Sequence, residues 1–442
     1  MQMKIIRLLL IFSLTFFSSC SFMVSDLTKS EIKLKHDAMT NGVFLYPDKY
    51  NTGCDETIPL TKIQIDEVID DVVFSLQLSG TGIGVNGWKG DSQIPHDAVI
   101  ENYDFSDYTL YSGNQQKLTE EKTITFKNCK FKGVRNYPRN EDSMKIKLVF
   151  DHCTFTGGVS ETNITLYRCY IKEVYGDAMN PLRNFTFEES YVENLLPEAD
   201  KKGTHVDGTQ TYGRDYLTGD NIVFKNSRME IPNFYFEYYE PGITYSAVNA
   251  CLMFQLEYND VNNVTYENMK LNGGGYNIYI QPPRVAKGKL EGHQIVQNNI
   301  VFKNIEVGCN HRWGSETKPD GMIYPNRDPN VDLSTIKWQD KIFVSSIFYD
   351  KNGNTHFIAT NDTNKNKKLK IVSENEEWIF DIPKNLNTKE MSPNKSLRFK
   401  DLPVDKNFSV NKKLPKVRIF DITVLDNGTE EEIFLQEVKI AD

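Results

Sequence analysis

Long amphipathic helical patterns are hard to find anywhere in this chain of 442 residues, so helical bundles and coiled coils drop out at once. Positive charge is short as well. Lysine and arginine number 51 against 60 aspartate and glutamate, a formal net charge of -9. Such a balance gives no overall field for nucleic acid or another polyanion, and any affinity of that kind would need a local basic patch. Beyond the first twenty residues no apolar run is long enough to span a bilayer. Histidine is scarce, at 7, which makes His205, Asp207 and Gln210 within six positions of THVDGTQTYG conspicuous. Aromatic residues are not scarce: at 12%, with β-branched residues in short runs, they give a β-rich reading. The length allows two domains and a large core.

The opening MQMKIIRLLLIFSLTFFSSC carries Lys4 and Arg7, an apolar run from Leu8 to Phe17, and small residues before Cys20. That is the build of a secretory signal. Its end, FFSSC, resembles the lipobox of bacterial lipoproteins, with Phe17 where leucine is usual. The resemblance implies a signal over residues 1–19, a lipid on Cys20, and an exported, membrane-anchored protein at the cell surface or in the periplasm. Residues 20–74 then read as tether and N-terminal cap. Ordinary secretion is the alternative.

One phrase recurs through the middle of the chain. It reads TITFKNCKF at 123–131, KLVFDHCTF at 147–155, NITLYRCYI at 163–171 and NFTFEESYV at 184–192. NIVFKNSRM at 221–229, NVTYENMKL at 263–271 and NIVFKNIEV at 299–307 continue it. Its second and fourth residues are apolar, and usually so are its seventh and ninth, which describes two short strands facing one interior with a bend between them. The residue before the seventh is always polar and is asparagine in four of seven phrases, as a bend favours. The seventh positions are Cys129, Cys153, Cys169, Ser190, Ser227, Met269 and Ile305, and successive subtraction gives steps of 24, 16, 21, 37, 42 and 36. Such a period indicates a solenoid. In a parallel β-helix these positions stack into a ladder, so Cys129, Cys153 and Cys169 are expected as free interior thiols rather than disulfide partners. The step of 16 is short for a full coil and suggests that one phrase sits at an offset. The NxT triplets at Asn163, Asn184 and Asn263 read as phrase starts rather than glycosylation acceptors.

The run resembles the right-handed parallel β-helix proteins, the pectin-lyase-like superfamily, and an all-β fold is expected: β-helix over residues 75–330, then a smaller antiparallel, sandwich-like β-domain over 336–442. Turns KNGN and DNGT separate the strand-like runs of that second domain.

Two long excursions, 193–204 and 230–249, are candidates for groove walls. The second holds Phe234, Tyr235, Phe236, Tyr238, Tyr239 and Tyr245, flat faces on which sugar rings stack. Near them fall GDAMNP with Asp177, HVDGTQ with His205 and Asp207, CLMFQ with Gln255, and GGGYNIYIQ with Tyr276 and Asn277. Asp177 and Asp207 each follow one phrase, so successive coils bring them close enough to couple, either sharing a proton or binding Ca²⁺. His205 and Asp207 share a strand face, while Gln210 has the other parity unless Gly208 turns the chain.

These motifs are similar to a bacterial β-helix group with an HxDGxQ motif, placed by analogy among polysaccharide-active proteins. That group often has a lysine where this chain has Asn180, which weakens any mechanism needing a lysine base there; Lys201, Lys202, Arg183 and Arg214 are the nearby cations. The expectation is a polysaccharide lyase, less favoured a glycoside hydrolase. Asp177, His205, Asp207, Lys202 and Arg214 are the catalytic candidates. Gln210, Gln255, Tyr238, Tyr239 and Tyr276 are the substrate-binding ones. A noncatalytic carbohydrate-binding or adhesive surface protein is the alternative, with the His205–Gln210 cluster merely satisfying backbone groups at an irregular coil. His311, Arg312 and Trp313 read as a cap. Oligomeric state is left open.

Overall fold

The computed structural model describes Lys29, Ile32 and residues 46–440 apart from 77–81, 86–89, 114, 139–143, 194, 196–204, 212, 215, 232–246, 255, 282–283, 309–331, 339, 364 and 384–404. Each repeat phrase is two strands with a bend, as its parity demands. Lys122–Lys127 and Lys130–Tyr137, for example, are joined through Asn128 at φ 51°. The corresponding residues of the other phrases, His152, Arg168, Glu189, Asn226, Asn268 and Asn304, all lie at φ between 47° and 53°. Asparagine tolerates this left-handed region best, which explains its four places. It also stacks there: Asn268 Nδ2 donates to Asn226 Oδ1 at 2.9 Å, and Asn304 to Asn268 at 3.1 Å.

Strands of successive coils pair in parallel, forming a solenoid with three faces. The first face stacks Ala98–Glu101, Lys122–Lys127, Ile146–Asp151 and the first-face strands of the later phrases up to Gln297–Lys303. The second stacks short strands such as Thr154–Phe155, Tyr191–Glu193, Arg228–Ile231 and Lys270–Gly273. The third carries Gly82–Gly84, the starts of Val159–Tyr167 and Met179–Glu188, then His205–Thr211, Ala247–Phe254 and Tyr276–Ile280. Strands at Thr61–Lys62 and Ile336–Trp338 join the parallel ladder from outside residues 75–330. Inside, aromatic rings stack from coil to coil, with Phe126 on Phe150 at 5.1 Å and Tyr266 on Phe302 at 5.1 Å. Cys129, Cys153 and Cys169 are free and fully buried in that interior.

The 16-residue step corrects one expectation. Both strands of the phrase at 163–171 are in register with those below, Ile164 opposite Leu148 and Thr154 opposite Tyr170, so nothing is offset. Val159–Tyr167 runs unbroken from the third face into the first, and the coil closes without any connecting loop. Its irregularity is confined to a register shift at Glu161/Thr162 and to Glu161 at φ 91°.

After the solenoid come two antiparallel sheets, one of three strands and one of four, sharing a core of residues such as Phe357, Leu369, Ile371 and Ile419. This domain covers the second face. Arg228, wholly buried, donates to Asp405 Oδ1 at 2.8 Å and to Glu230 Oε1 at 2.9 Å, and its guanidinium lies 4.6 Å from the Phe343 ring centroid. Lys270, one coil on, pairs with Glu230 at 2.6 Å and with Asp362. The segment from Tyr46 to Asp55 runs along the same seam. Asp48 accepts from Ser345 and Ser346 of the second domain, and the Cys54 amide donates to Thr154 of the solenoid.

Candidate functional site

The solenoid concentrates its irregularity around one face. The corner from first to second face is a single left-handed residue in every repeat phrase, whereas the extra length of the long coils enters on either side of the third-face strands. Residues 194–204 and 232–246 precede His205–Thr211 and Ala247–Phe254, and residues 281–296 follow Tyr276–Ile280. In sequence, then, the extra residues of the long coils flank the third-face strands, and loops at such places commonly carry binding functions.

HVDGTQ is the strand His205–Thr211 of that face. Val206 belongs to the interior cluster, and so do Leu252 and Phe254, which stand opposite Thr209 and Thr211. Inward positions at 206 and 209 are three apart, which simple alternation does not allow, so the strand bends at Gly208. No side chain fits there, since a Cβ would stand 2.4 Å from the Cys251 carbonyl oxygen. The bend gives Asp207 and Gln210 the same outward sense despite their parity.

Asp177 and Asp207 meet across adjacent coils. The Asp207 amide donates to Asp177 Oδ1 at 2.9 Å, and the Ala178 amide to the Asp207 carbonyl at 2.9 Å. The strand above shifts register so that Asn249 is left over, and its Nδ2 donates to Asp207 Oδ1 at 3.2 Å. Asn180, where the similar group often has lysine, donates to Asp177 Oδ2 at 3.0 Å. Asp207 is 1% exposed and Asp177 is half-buried. Burial, and after it the neighbouring Asp177 charge, hold the Asp207 carboxyl well above the usual carboxylate range. Three of the pair's four carboxylate oxygens accept hydrogen bonds from protein N–H groups, and among the described residues no group of three histidine, cysteine or acidic side chains converges.

Beside the pair an outward column runs up the face. Tyr111, Arg135, Ser160 and Asn180 occupy its lower rungs, and Gln210, Met253 and Tyr279 its upper ones. At ~4.8 Å per coil these seven rungs cover roughly 29 Å. Tyr276 stands in the column of Asp207, separated from it by the small Ala250, and its ring lies 5.8 Å from that of Tyr279. Asn277, its neighbour in sequence, is wholly buried and donates to the Gly273 carbonyl.

Arg214 is committed elsewhere on this face: its Nη2 donates to Glu161 Oε1 at 2.6 Å, and the Tyr216 hydroxyl donates to Glu161 Oε2 at 3.1 Å. Tyr216 in turn packs edge-on against the exposed Tyr137 at 5.3 Å. Sequence reasoning missed this cluster because its members are 53 and 55 residues from Glu161. Arg183 lies in register with Thr162 and Asp220, past the third face. Lys201, Lys202, Phe234, Tyr235, Phe236, Tyr238, Tyr239, Tyr245, Gln255 and the His311–Trp313 cap lie outside the described residues, as do Cys20 and Cys309, and of His205 only the backbone is described. Comparison with known proteins finds no matching family model, no similar curated protein and no similar solved structure.

Proposed function

We propose that the protein is exported on a lipid anchor at Cys20, binds a polysaccharide along the third face, and cleaves it at Asp177 and Asp207, by elimination rather than hydrolysis. The single observation that carries this reading is the placement of the hydrogen-bonded Asp177–Asp207 pair beside a column of mostly polar and aromatic side chains long enough for several sugar units. Perturbed acids in a cleft are concentrated at catalytic sites. The likeness to the HxDGxQ group of pectin-lyase-like proteins and to the bacterial lipobox points the same way.

In this reading Asp177, the more exposed acid, meets the sugar and moves the proton. Asp207 behind it stays protonated, so that only one negative charge faces the substrate. The amides of Asn180 and Gln210 orient hydroxyl or carboxylate oxygens, Tyr276 offers a ring face, and Lys202 is the remaining candidate cation for the charge that develops in elimination. Hydrolysis would use the same two acids as acid and base.

Binding without cleavage is the second reading, favoured by the 1% exposure of Asp207. A panel of polysaccharides assayed for the ultraviolet absorbance of unsaturated products and for new reducing ends separates the readings. Elimination gives both signals, and each falls at least a hundredfold in Asp177→Asn. Reducing ends alone indicate hydrolysis. Retained binding with neither signal, unchanged in Asp207→Ala, leaves a binding protein only.

A further inference from the structure

The first face has no role in the proposed site, yet it is the most regular surface of the solenoid. Its central outward column alternates small β-branched residues. Val99, Thr125, Val149 and Thr165 form the lower half, and Thr186, Val223, Thr265 and Val301 the upper. Val99 and Val301 are exposed, and Asp332 forms a single parallel bridge to Val301 on the coil beyond. Two residues along each strand stands a second column, Glu101, Lys127, Asp151 and Tyr167 below, Glu188, Lys225, Glu267 and Lys303 above. Neighbours in this column already pair within the chain, Lys127 with Glu101 at 3.2 Å and Lys225 with Glu188 at 3.0 Å.

Read from bottom to top, the charge column is minus, plus, minus, neutral, minus, plus, minus, plus. Turned end over end, it complements itself. A two-fold axis lying along the strands, between the rungs of Thr165 and Thr186, sets each column of one copy against the same column of another, running the opposite way. Glu101 then faces Lys303, Lys127 faces Glu267, Asp151 faces Lys225, and Tyr167 faces Glu188. Each contact occurs twice, as an isologous interface requires. The same rotation lays Val99 on Val301, Val149 on Val223, and threonine on threonine, so methyl groups meet methyl groups.

Register makes the pattern more than a coincidence of alternation. A slip of one rung in either direction places Lys127 on Lys225 or on Lys303 and Glu101 or Asp151 on Glu267, so that charges meet only their own sign, apart from contacts with Tyr167. Like charges in register penalise wrong pairings, so the column specifies one alignment and disfavours its neighbours. The geometry points to an antiparallel homodimer formed by the first faces of two copies, which leaves the third face of each open to solvent.

Eight rungs at ~4.8 Å span roughly 34 Å, and a face five residues wide gives a total buried area of about 1,000 Å², at the lower limit for a specific interface. Association is accordingly expected in the micromolar range and weaker with salt. Analytical ultracentrifugation of the full chain with Cys20→Ser, and of the same chain also carrying Lys225→Glu or Asp151→Lys, tests the assignment. The parent dimerises at low salt. Each reversal alone sets two like-charge contacts in its homodimer and weakens association at least about tenfold. Mixed in equal amounts, the two variants restore dimers, because every contact in the mixed pair is again between opposite charges. A parent that stays monomeric at 100 micromolar, variants that dimerise as well as the parent, or a mixture no tighter than its components would each overturn the proposal.

Discussion

Glu230 on the second face of the solenoid and Asp207 on the third are buried to the same depth and shifted in opposite directions. Glu230, on the second face, is wholly buried; burial pushes its carboxyl up, but Lys270 and Arg228 together pull it below the usual range. Asp207, on the third face, is 1% exposed and has a second acid for its nearest charge, so burial and repulsion act in the same direction. The difference lies in the partners. On the second face Arg228, Glu230 and Lys270 form one charge network that reaches Asp405 and Asp362 of the other domain, at the cost of lowering Lys270 to about 8, which is the mark of a structural contact. On the third face Asp207 accepts from the neutral Asn249 amide and lies beside a second carboxyl, so burial and charge both raise it, a perturbation of the kind that functional sites concentrate.

The comparison can be broken by mutation, beginning where the effect is largest. Arg228→Met strands Asp405 without its cation, leaves Glu230 to Lys270 alone, and is expected to cost about 3–5 kcal/mol, read as a lower urea midpoint. If the loss is under 1 kcal/mol, the seam is not the structural element described. Gly208→Ala drives a methyl group into the Cys251 carbonyl and should cost about 1–3 kcal/mol, with polysaccharide binding lost in the fraction that remains folded.

Titration sharpens the contrast further. Asp207 has a folded pKa above its unfolded value, so its contribution to stability is fully present below about pH 3.9 and is lost as pH rises through the raised value. Glu230 has the reverse sign: its contribution is present above the ordinary glutamate value and disappears as pH falls through the lowered one. Urea midpoints measured from pH 4 to 9 should therefore decline less toward high pH in Asp207→Asn than in the parent. Glu230→Gln should instead lose stability at neutral pH. Equal pH profiles for Asp207→Asn and parent would show that Asp207 is not held protonated. The smallest effect belongs to the corner common to all coils. Asn268→Ala places alanine at φ 52° and removes one rung of the amide stack, a cost of about 1–2 kcal/mol.

How much of this was readable without coordinates depends on how local each cause is. The two-strand phrase and its bend were legible because one residue at one position carries a left-handed backbone, and asparagine advertises it. The pairing of Asp177 with Asp207 followed from counting phrases. The 16-residue coil was misjudged because a missing loop leaves no turn residues in the sequence; Val159–Tyr167 simply continues around a corner. The bend at Gly208, which reconciles Asp207 with Gln210, depends on the carbonyl of Cys251 43 residues away, by subtraction. Arg228 reaches Pro47 and Asp405, 181 and 177 residues away, and Arg214 and Tyr216 lie 53 and 55 residues from Glu161, so no pattern within a phrase could announce these contacts.

The loopless coil also sets a minimum. Sixteen residues suffice for one complete circuit, so in a coil of 42 about twenty-six are surplus to the spine. Because the stacked rungs need only those sixteen, the spine fixes a floor for the length of a coil and no ceiling.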